Sequence, residues 1–311
     1  MRRFLNHCFV SGVVFFLAFV ALDFVISKSL SRLNVKPFNV WNEVMGGKVD
    51  ADVVALGNSL VTVGFNTEYL DSALGTRTYA MGFSGAQFDR QSYMYSLYRS
   101  RNRPPKVMVN FVDYNSMSLT RRVPDRPQFY PWFFDKDFRR VVFPVERFHL
   151  SERFLPMWRW RGYSPIDYTS RFSGHLKCGF KYITFTRSPF IMGDRGLMRF
   201  GSDSAAIAPL WEKFLSRNVS EGIRTVFVLP PLHESCQYAD GHKERMVSTF
   251  RGYSERYGIP FLDYSDLPIT ADSTFFRDPY HLNGKGSEVF CDTLARDLKR
   301  LGLLGYCVSE E

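Results

Sequence analysis

The chain lacks the residue patterns that mark most metal, phosphate and nucleic-acid sites. Its 311 residues contain no HExxH pair, no glycine-rich phosphate loop and no nucleic-acid-binding motif. The cysteines are few and show no CxxC or Cys/His ligand spacing; they are Cys8, Cys178, Cys236, Cys291 and Cys307. An odd, scattered set argues against a disulfide framework and a structural zinc, although one disulfide among the last four stays open. The sequence therefore predicts no metal, no cofactor, no nucleic-acid partner and mainly buried thiols.

Excess charge is absent from most of the chain. The formal net charge is +9, but residues 121–200 hold 13 Arg and 3 Lys against 7 Asp and Glu, so this segment carries the whole surplus. The same residues include 19 aromatic side chains, too many for a disordered linker. We therefore expect an ordered, aromatic and basic insert over residues 117–200 that caps the rest of the fold.

A long apolar run lies near the amino terminus. Residues 9–26 are interrupted only by Asp23 and would span about 27 Å as a helix, near the thickness of a bilayer core. Because Asp23 is close to one end, we expect its carboxylate to reach the membrane interface. No A-x-A site follows, so the pattern favours an uncleaved anchor over residues 1–30, with secretion after signal cleavage as the alternative. Arg2 and Arg3 place the remainder outside the cytoplasm.

Outside the insert, residues 51–311 alternate between short apolar runs and helix-length segments. The predicted strands are Val53–Leu56, Thr78–Met81, Val107–Val112, Thr225–Leu229 and Pro260–Leu262. The predicted helices lie near 59–72, 86–101, 203–219, 241–257 and 284–302. This order predicts an α/β fold, a three-layer α/β/α domain with a five-stranded parallel, flavodoxin-like sheet. A tether with a short helix, residues 31–50, precedes it.

The first predicted strand ends at Gly57-Asn-Ser-Leu60, which is either an ordinary turn or the place of a nucleophile. A nucleophilic serine needs a base and usually a group that orients the base. Asp278 and His281 stand three residues apart after the fifth predicted strand. Alone this pattern is weak, but parallel topology brings it to the sheet edge that carries Ser59.

Together these two stretches resemble the SGNH (GDSL-like) hydrolase superfamily over roughly residues 50–115 and 222–300. Gly57-Asn-Ser-Leu60 is similar to the first block of the family, with Asn58 in place of the more usual Asp. Asp278-Pro-Tyr-His-Leu-Asn283 is similar to the last block. The resemblance implies that Ser59 is the nucleophile, His281 the base and Asp278 its orienting partner.

The resemblance also implies an oxyanion hole formed by Ser59, Gly82 and Asn115. Gly82 follows the second predicted strand, where the family has a glycine. After the third strand only Asn115 matches the family's Gly-x-Asn-Asp, and Asp113 and Ser116 replace its Gly and Asp. A simple turn asparagine is the alternative for Asn115.

Three further residues are candidates for binding substrate. His233 follows the fourth predicted strand and either lines the crevice or is an ordinary loop histidine. Trp158 and Trp160 belong to an aromatic and basic run that could stack on sugar rings, while arginines pair with anionic groups. The alternative is that the insert only packs on itself and presents a cationic face to water or to anionic lipid head groups.

The anchor and the divergent oxyanion blocks are similar to the envelope-polymer members of the superfamily, such as the alginate O-acetylation and teichoic-acid D-alanylation proteins. Those proteins work beside a multispan membrane-bound O-acyltransferase. The resemblance implies an acyltransferase or esterase that handles O-acyl groups of an envelope polysaccharide through an acyl-serine. The alternative is a non-catalytic envelope-assembly or glycan-binding protein that retains the fold.

Overall fold

The computed structural model describes residues 1–34, 38–121, 126–161 and 197–304. These residues belong to two compact units. The N-terminal unit comprises Met1–Gly46 and Asp125–His175, and the sheet unit comprises Gly47–Pro124 and Leu176–Glu311. The insert predicted over residues 117–200 is therefore shared between the two units, and residues 162–196 of it lie outside the described part of the chain.

The sheet unit contains five parallel strands in the order β2-β1-β3-β4-β5. They are β1 (Val53–Gly57), β2 (Thr78–Gly82), β3 (Val107–Phe111), β4 (Arg224–Leu229) and β5 (Phe261–Asp263). Every residue of β1, β2 and β3 is buried, as their continuous apolar runs require in a parallel sheet covered on both faces. The strand prediction is confirmed to within about one residue at most ends, a difference that is normal for strand limits.

The α-helices of the described residues follow the predicted alternation. They are α1 (Arg2–Leu30), α2 (Asn39–Met45), α3 (Ser59–Gly64), α4 (Thr67–Leu74), α5 (Phe88–Arg101), α6 (Lys136–Val142), α7 (Leu150–Phe154), α8 (Ser204–Ser220), α9 (His242–Tyr257) and α10 (Gly284–Arg300). The single helix predicted near 59–72 is wrong, because α3 ends at Gly64 and Asn66 caps a new helix by accepting a hydrogen bond from Tyr69 N.

Helices cover both faces of the sheet, which gives the predicted three layers. On one face α3, α4 and α10 share a hydrophobic core with β1, β3 and β4, in which Phe290 packs edge-on against Phe111. On the other face Phe88 of α5 stacks on Trp211 of α8, and Trp211 packs edge-on against Phe227 of β4. The α/β fold is confirmed.

The N-terminal unit is organised around α1, which is long and apolar enough to cross a membrane. The helix is exposed over most of its length, and its buried residues are Asp23, Ser27 and Leu30. The predicted tether is partly packed, since all of α2 is buried. Asn42 of α2 donates to the carbonyl oxygens of Leu30 and Leu33 at 2.7 and 2.8 Å.

A buried ion pair joins α1 to the first part of the insert. The Asp23 carboxylate lies 2.7 Å from the Arg159 guanidinium, and the two side chains are 2 and 3% exposed. Trp160 Nε1 and Met157 N also donate to Asp23, at 2.6 and 3.1 Å, and Arg159 donates to Ser27 Oγ at 3.0 Å. The expectation that Asp23 reaches the interface is corrected, because this protein network encloses the carboxylate.

Residues 126–161 form an ordered aromatic cluster, as predicted for the insert. The 3₁₀ helix over Arg126–Trp132, α6 and the loops beside them bring together rings that meet mainly edge to face. The rings include Phe129, Tyr130, Phe133, Phe138, Phe143 and Phe148.

In the described residues Cys8 is exposed, Cys236 is half-buried and Cys291 is buried, whereas Cys178 and Cys307 lie outside them. Cys291 is the buried thiol that the sequence predicts, and burial raises its pKa to about 12. It accepts a hydrogen bond from Asn66 N and donates to Gly64 O, so it joins α10 to the junction of α3 and α4.

The Asp23–Arg159 pair generates a stability prediction. Arg159→Met leaves a carboxylate buried without its cation, so we expect the N-terminal unit to lose about 3–5 kcal/mol. The double change Asp23→Leu with Arg159→Met removes both charges and is expected to restore most of this loss. The measurement is the urea dependence of proteolytic cleavage within residues 126–161 in detergent. Arg140→Met, at an exposed ion pair with Asp137, is the control and should change stability by less than about 1 kcal/mol.

Candidate active site

Ser59 stands at the junction of β1 and α3, on the carboxyl edge of the sheet. Asn58 caps α3, because its Oδ1 atom accepts a hydrogen bond from Leu60 N at 3.0 Å. A Cβ atom on Gly57 would lie 2.6 Å from a Val61 methyl carbon and 3.1 Å from Phe111 Cβ. The chain therefore needs a glycine here for close packing, and it presents the serine on the first turn of the helix.

His281 connects Ser59 to Asp278. The Nε2 atom of His281 lies 2.8 Å from Ser59 Oγ. The Nδ1 atom lies 2.9 Å from each carboxylate oxygen of Asp278. The side chains of His281 and Asp278 are only 18 and 20% exposed. The structure thus brings together the three residues that the sequence singled out, although Ser59 and His281 are 222 positions apart.

The hydrogen bonds to Asp278 determine which way the imidazole acts. Asp278 Oδ1 also accepts hydrogen bonds from Tyr280 N and His281 N, at 3.0 and 3.1 Å, so the carboxylate acts as an acceptor in each of these contacts. An ionised carboxylate can only accept hydrogen bonds. In a neutral imidazole beside it, the proton therefore lies on Nδ1, which donates to Asp278. Nε2 is then free to accept the hydroxyl proton of Ser59, as a general base requires.

A small hairpin carries Asp278 and His281. Strand β6 (Phe276–Asp278) pairs antiparallel with β7 (His281–Leu282), and the turn between them contains Pro279. Asn283 then caps α10 through Gly286 N at 3.0 Å and donates to Thr274 O at 2.7 Å. Gly286 is required by packing, since a Cβ atom there would overlap Phe275 O. This hairpin is too short for its strands to be predicted from periodicity.

Asp113 is a contributor that the sequence reasoning missed. It follows β3, and its Oδ2 atom accepts a hydrogen bond from Asn58 Nδ2 at 2.6 Å. Its Oδ1 atom accepts from Asn115 N at 2.8 Å and from Ser116 Oγ at 3.2 Å. The residue is 4% exposed. Asp113 was noted only as a departure from the family pattern; the signal that could have found it is the simultaneous presence of Asn at position 58.

The environment of Asp113 has two opposing effects on its ionisation. Burial raises the pKa of the carboxyl group, whereas the hydrogen bonds from Asn58, Asn115 and Ser116 stabilise the charged form and lower it. Burial is the larger effect. Asp113 accepts a hydrogen bond from Asn58, and Asn58 caps the first turn of α3. One side chain therefore connects the Asp113 carboxyl group to the turn that carries Ser59.

Gly82 and Asn115 are the other predicted members of the oxyanion hole. Gly82 ends β2 opposite Gly57, where a Cβ atom would lie 2.5 Å from Thr62 Oγ1 and 2.7 Å from Thr62 N. Close approach to α3 therefore explains this glycine without any reference to catalysis. Asn115 is half-buried in the turn that Asp113 closes. Their roles as donors to an oxyanion stay predictions.

His233 lies against the hairpin of the catalytic candidates. Its backbone N–H donates to Pro279 O at 3.0 Å, its Nδ1 atom is 2.8 Å from Ser235 Oγ, and its ring packs edge-on against Phe276. Cys236 Sγ donates to the same Pro279 carbonyl at 3.1 Å. With 9% exposure, His233 supports the turn between Asp278 and His281.

The two tryptophans of the insert differ in exposure. Trp160 is 7% exposed, packs edge-on against Tyr130 and donates to Asp23, so the prediction that it stacks on a sugar is corrected. Trp158 is 40% exposed, with the Arg161 guanidinium 4.3 Å above its ring. A substrate-binding role for Trp158 stays a prediction. Within the described ranges no group of His, Cys, Asp and Glu is arranged to hold a metal ion.

No protein-family model and no curated protein matches the chain. Among solved structures it is similar to a possible lipase from Chitinophaga pinensis, at 11% identity and a TM-score of 0.43 over 82% of this chain and 100% of that one. The acetyl xylan esterase AlAXEase shares 12% identity, with a TM-score of 0.44 over 79 and 98% of the two chains.

A family two carbohydrate esterase from Clostridium thermocellum, solved with cellohexaose, is 10% identical to the chain. Its TM-score is 0.40 over 81% of this chain and 64% of that one. Similarity at this level does not identify an activity, so the function has to be inferred from the arrangement of Ser59, His281 and Asp278.

The contact between Asn58 and Asp113 generates a prediction about the reactivity of Ser59. In the wild type each carboxylate oxygen of Asp113 accepts a hydrogen bond, one from Asn58 Nδ2 and one from Asn115 N. In Asp113→Asn one of these oxygens becomes an NH₂ group, which cannot accept, so one of the two hydrogen bonds is lost. We expect the labelling rate of Ser59 by a fluorophosphonate to fall about 10- to 100-fold, equivalent to about 1–3 kcal/mol for an unsatisfied buried group.

The reciprocal change is the matched control for this prediction. With Asn58→Asp and Asp113→Asn together, the carboxylate introduced at position 58 can accept from Leu60 N and from the amide introduced at position 113. The oxygen of that amide accepts from Asn115 N. Every hydrogen bond is restored, so the labelling rate should recover. Equal rates for the single variant and the wild type would contradict a positioning role for Asp113.

Proposed function

We propose that this protein is a serine acyl-ester hydrolase or O-acyltransferase. The observation that carries the proposal is the chain of hydrogen bonds from Ser59 Oγ through His281 to Asp278, with distances of 2.8 and 2.9 Å. A serine hydroxyl is a weak nucleophile until a positioned base takes its proton. In this arrangement the base is already within hydrogen-bond distance and its orientation is fixed from the other side.

The proposed reaction has two steps. Ser59 Oγ attacks the carbonyl carbon of an ester while its proton moves to His281 Nε2. The bond to the alcohol oxygen then breaks, and the alcohol leaves with that proton. Water or an acceptor hydroxyl attacks the acyl-serine and gives its proton to Nε2, which returns it to Ser59 as the acyl group departs. Asp278 accepts from Nδ1 throughout and stabilises the transient imidazolium ion.

The substrate we propose is an O-acylated or acyl-accepting polysaccharide of the cell envelope. Support comes from the basic, aromatic composition of the insert, because arginine pairs with anionic groups and exposed rings stack on sugars. The proposal extends to a multispan membrane-bound O-acyltransferase as a partner that supplies the acyl group. Transfer in place of hydrolysis requires an acceptor hydroxyl to react before water does.

The proposed location is membrane-anchored, with the sheet unit outside the cytoplasm. The apolar length of α1 agrees equally with an anchor and with a signal sequence. The burial of Asp23, Ser27 and Leu30 favours an anchor. Removal of α1 would take away Asp23 and Ser27, which pair with Arg159, and would end the contact of Phe24 with Phe134.

The catalytic proposal predicts a single serine adduct. We expect a fluorophosphonate to modify Ser59 and no adduct to form in Ser59→Ala. Hydrolysis of a chromogenic ester should fall about 10⁴-fold or more in Ser59→Ala and in His281→Ala. Ser84→Ala is the matched control, since Ser84 lies in the turn after β2 and should be dispensable. Peptide mass spectrometry and initial rates are the measurements.

The outcomes separate the candidate functions. An adduct with rapid Ser59-dependent turnover in water indicates an esterase. An adduct with slow turnover in water, together with a change in the ester content of envelope polysaccharide in Ser59→Ala cells, indicates a transferase. No adduct on folded protein, together with unchanged ester content in those cells, would reject the enzymatic proposal in favour of a binding protein.

The anchoring proposal predicts that α1 is retained. Protein isolated from its native membrane should contain the peptides that include Phe9 and Asp23. It should resist alkaline extraction, because an inserted apolar helix is held by the hydrophobic effect and not by charge. A soluble product that begins after residue 26 would show signal cleavage instead.

A further inference from the structure

Large apolar side chains are exposed in the N-terminal unit well beyond α1. Within residues 126–161 six of them are between 40 and 71% exposed: Phe134, Val145, Leu150, Phe154, Leu155 and Trp158. Single exposed apolar residues are normal on a protein surface, but so many in one short segment mark an interaction site.

The level of this segment along α1 is fixed by the Asp23 network. The exposed apolar residues of α1 begin at Phe4 and end at Val25. These 22 residues would rise about 33 Å as a helix, the thickness of a bilayer core with some tilt. Because Met157 and Trp160 donate to Asp23, the stretch between them lies at the end of this apolar length.

Helix α7 presents an apolar face near that level. Leu150 and Phe154 are four residues apart, so they lie on the same side of the helix, and they are 70 and 71% exposed. Phe154 is three residues from Met157, which limits the distance between them to about 10 Å. The exposed face of α7 therefore lies within about 10 Å of the level at which the apolar length of α1 ends.

The net positive charge of residues 126–161 matches an anionic surface. Residues 126–161 contain 8 Arg and Lys against 4 Asp and Glu, and Arg139 and Arg140 are exposed. Trp158, covered by Arg161, combines a partly exposed ring with a cation. Aromatic rings and arginines together are typical of the region where lipid head groups meet water, and the positive charge favours anionic lipids.

A cavity of mixed polar and apolar lining lies at the same level of α1. It has a volume of about 160 Å³ and lies between α1 and the residues around Trp132. Its lining includes the rings of Phe24, Phe134 and Trp132 together with Lys28. An ammonium group beside aromatic walls suits the phosphate and glycerol of a lipid head group.

We propose that the surface formed by Leu150, Phe154, Leu155 and Trp158 lies in the head-group layer of the anionic membrane that α1 enters. The N-terminal unit then contacts lipid through two elements, the spanning helix and an interfacial face held to it by the Asp23–Arg159 pair. This inference rests on the anchoring part of the proposed function and is independent of the chemistry at Ser59.

Photo-crosslinking of the full chain in vesicles of phosphatidylcholine and phosphatidylglycerol tests the proposal. The photoreactive amino acid p-benzoylphenylalanine replaces Phe154 in one variant, Phe16 of α1 in a second and Val219 of the sheet unit in a third. Val219 is the matched control, because it is an exposed apolar residue on a helix, with 54% exposure. Mass spectrometry identifies what each position captures.

The expected result is a lipid adduct at positions 154 and 16 and none at 219. An adduct at 16 without one at 154 would overturn the interfacial face and leave the anchor intact. The absence of an adduct at 16 would overturn the anchor and this inference together, whereas the Ser59 proposal would stand. Capture of a second protein chain at 154 would show that the face is a protein interface and would also overturn the inference.

Discussion

The hydrogen bond between Asn58 and Asp113 joins the end of β1 to the end of β3, and the placement of Ser59 depends on it. These strands are parallel neighbours in the sheet although β2 lies between them in sequence. Their carboxyl ends therefore lie side by side, at the point where the strand order reverses. The buried carboxyl group of Asp113 fixes the amide of Asn58, and that amide in turn caps α3. Two short turns then bring Ser59, His281 and Asp278 together on the same edge.

Much of the sheet unit could be predicted from sequence because its signals are local. Continuous apolar runs identify buried parallel strands, and the alternation with helices restricts the topology. Strand ends and residue types also make Ser59, His281 and Asp278 candidates, and the resemblance to a known family implies their roles. Asp113 was not, because a buried carboxylate has no periodic signature and its partner is 55 residues away. The β6–β7 hairpin was missed for a related reason, since two or three residues are too few to show a period.

The N-terminal unit resisted prediction more strongly. The apolar run of α1 is evident in the sequence. The prediction that Asp23 lies near water is wrong, because its partner Arg159 is more than 130 residues away in a segment without clear periodicity. The prediction that Trp160 stacks on a sugar is wrong for the same reason. Both errors come from interactions between distant polar groups. Composition predicts that an aromatic segment is ordered, and it does not predict which ring is enclosed and which is exposed.

The discontinuity of the N-terminal unit has a consequence for the order of folding. Arg159 follows Asp23 by 136 positions in the chain, and most of the first half of the sheet unit lies between them. During synthesis α1 is complete long before Arg159 has been added, so Asp23 has no guanidinium to neutralise it in that interval. The buried pair can form only after β1, β2 and β3 have been made. The helix that is made first is therefore the element whose packing is finished late.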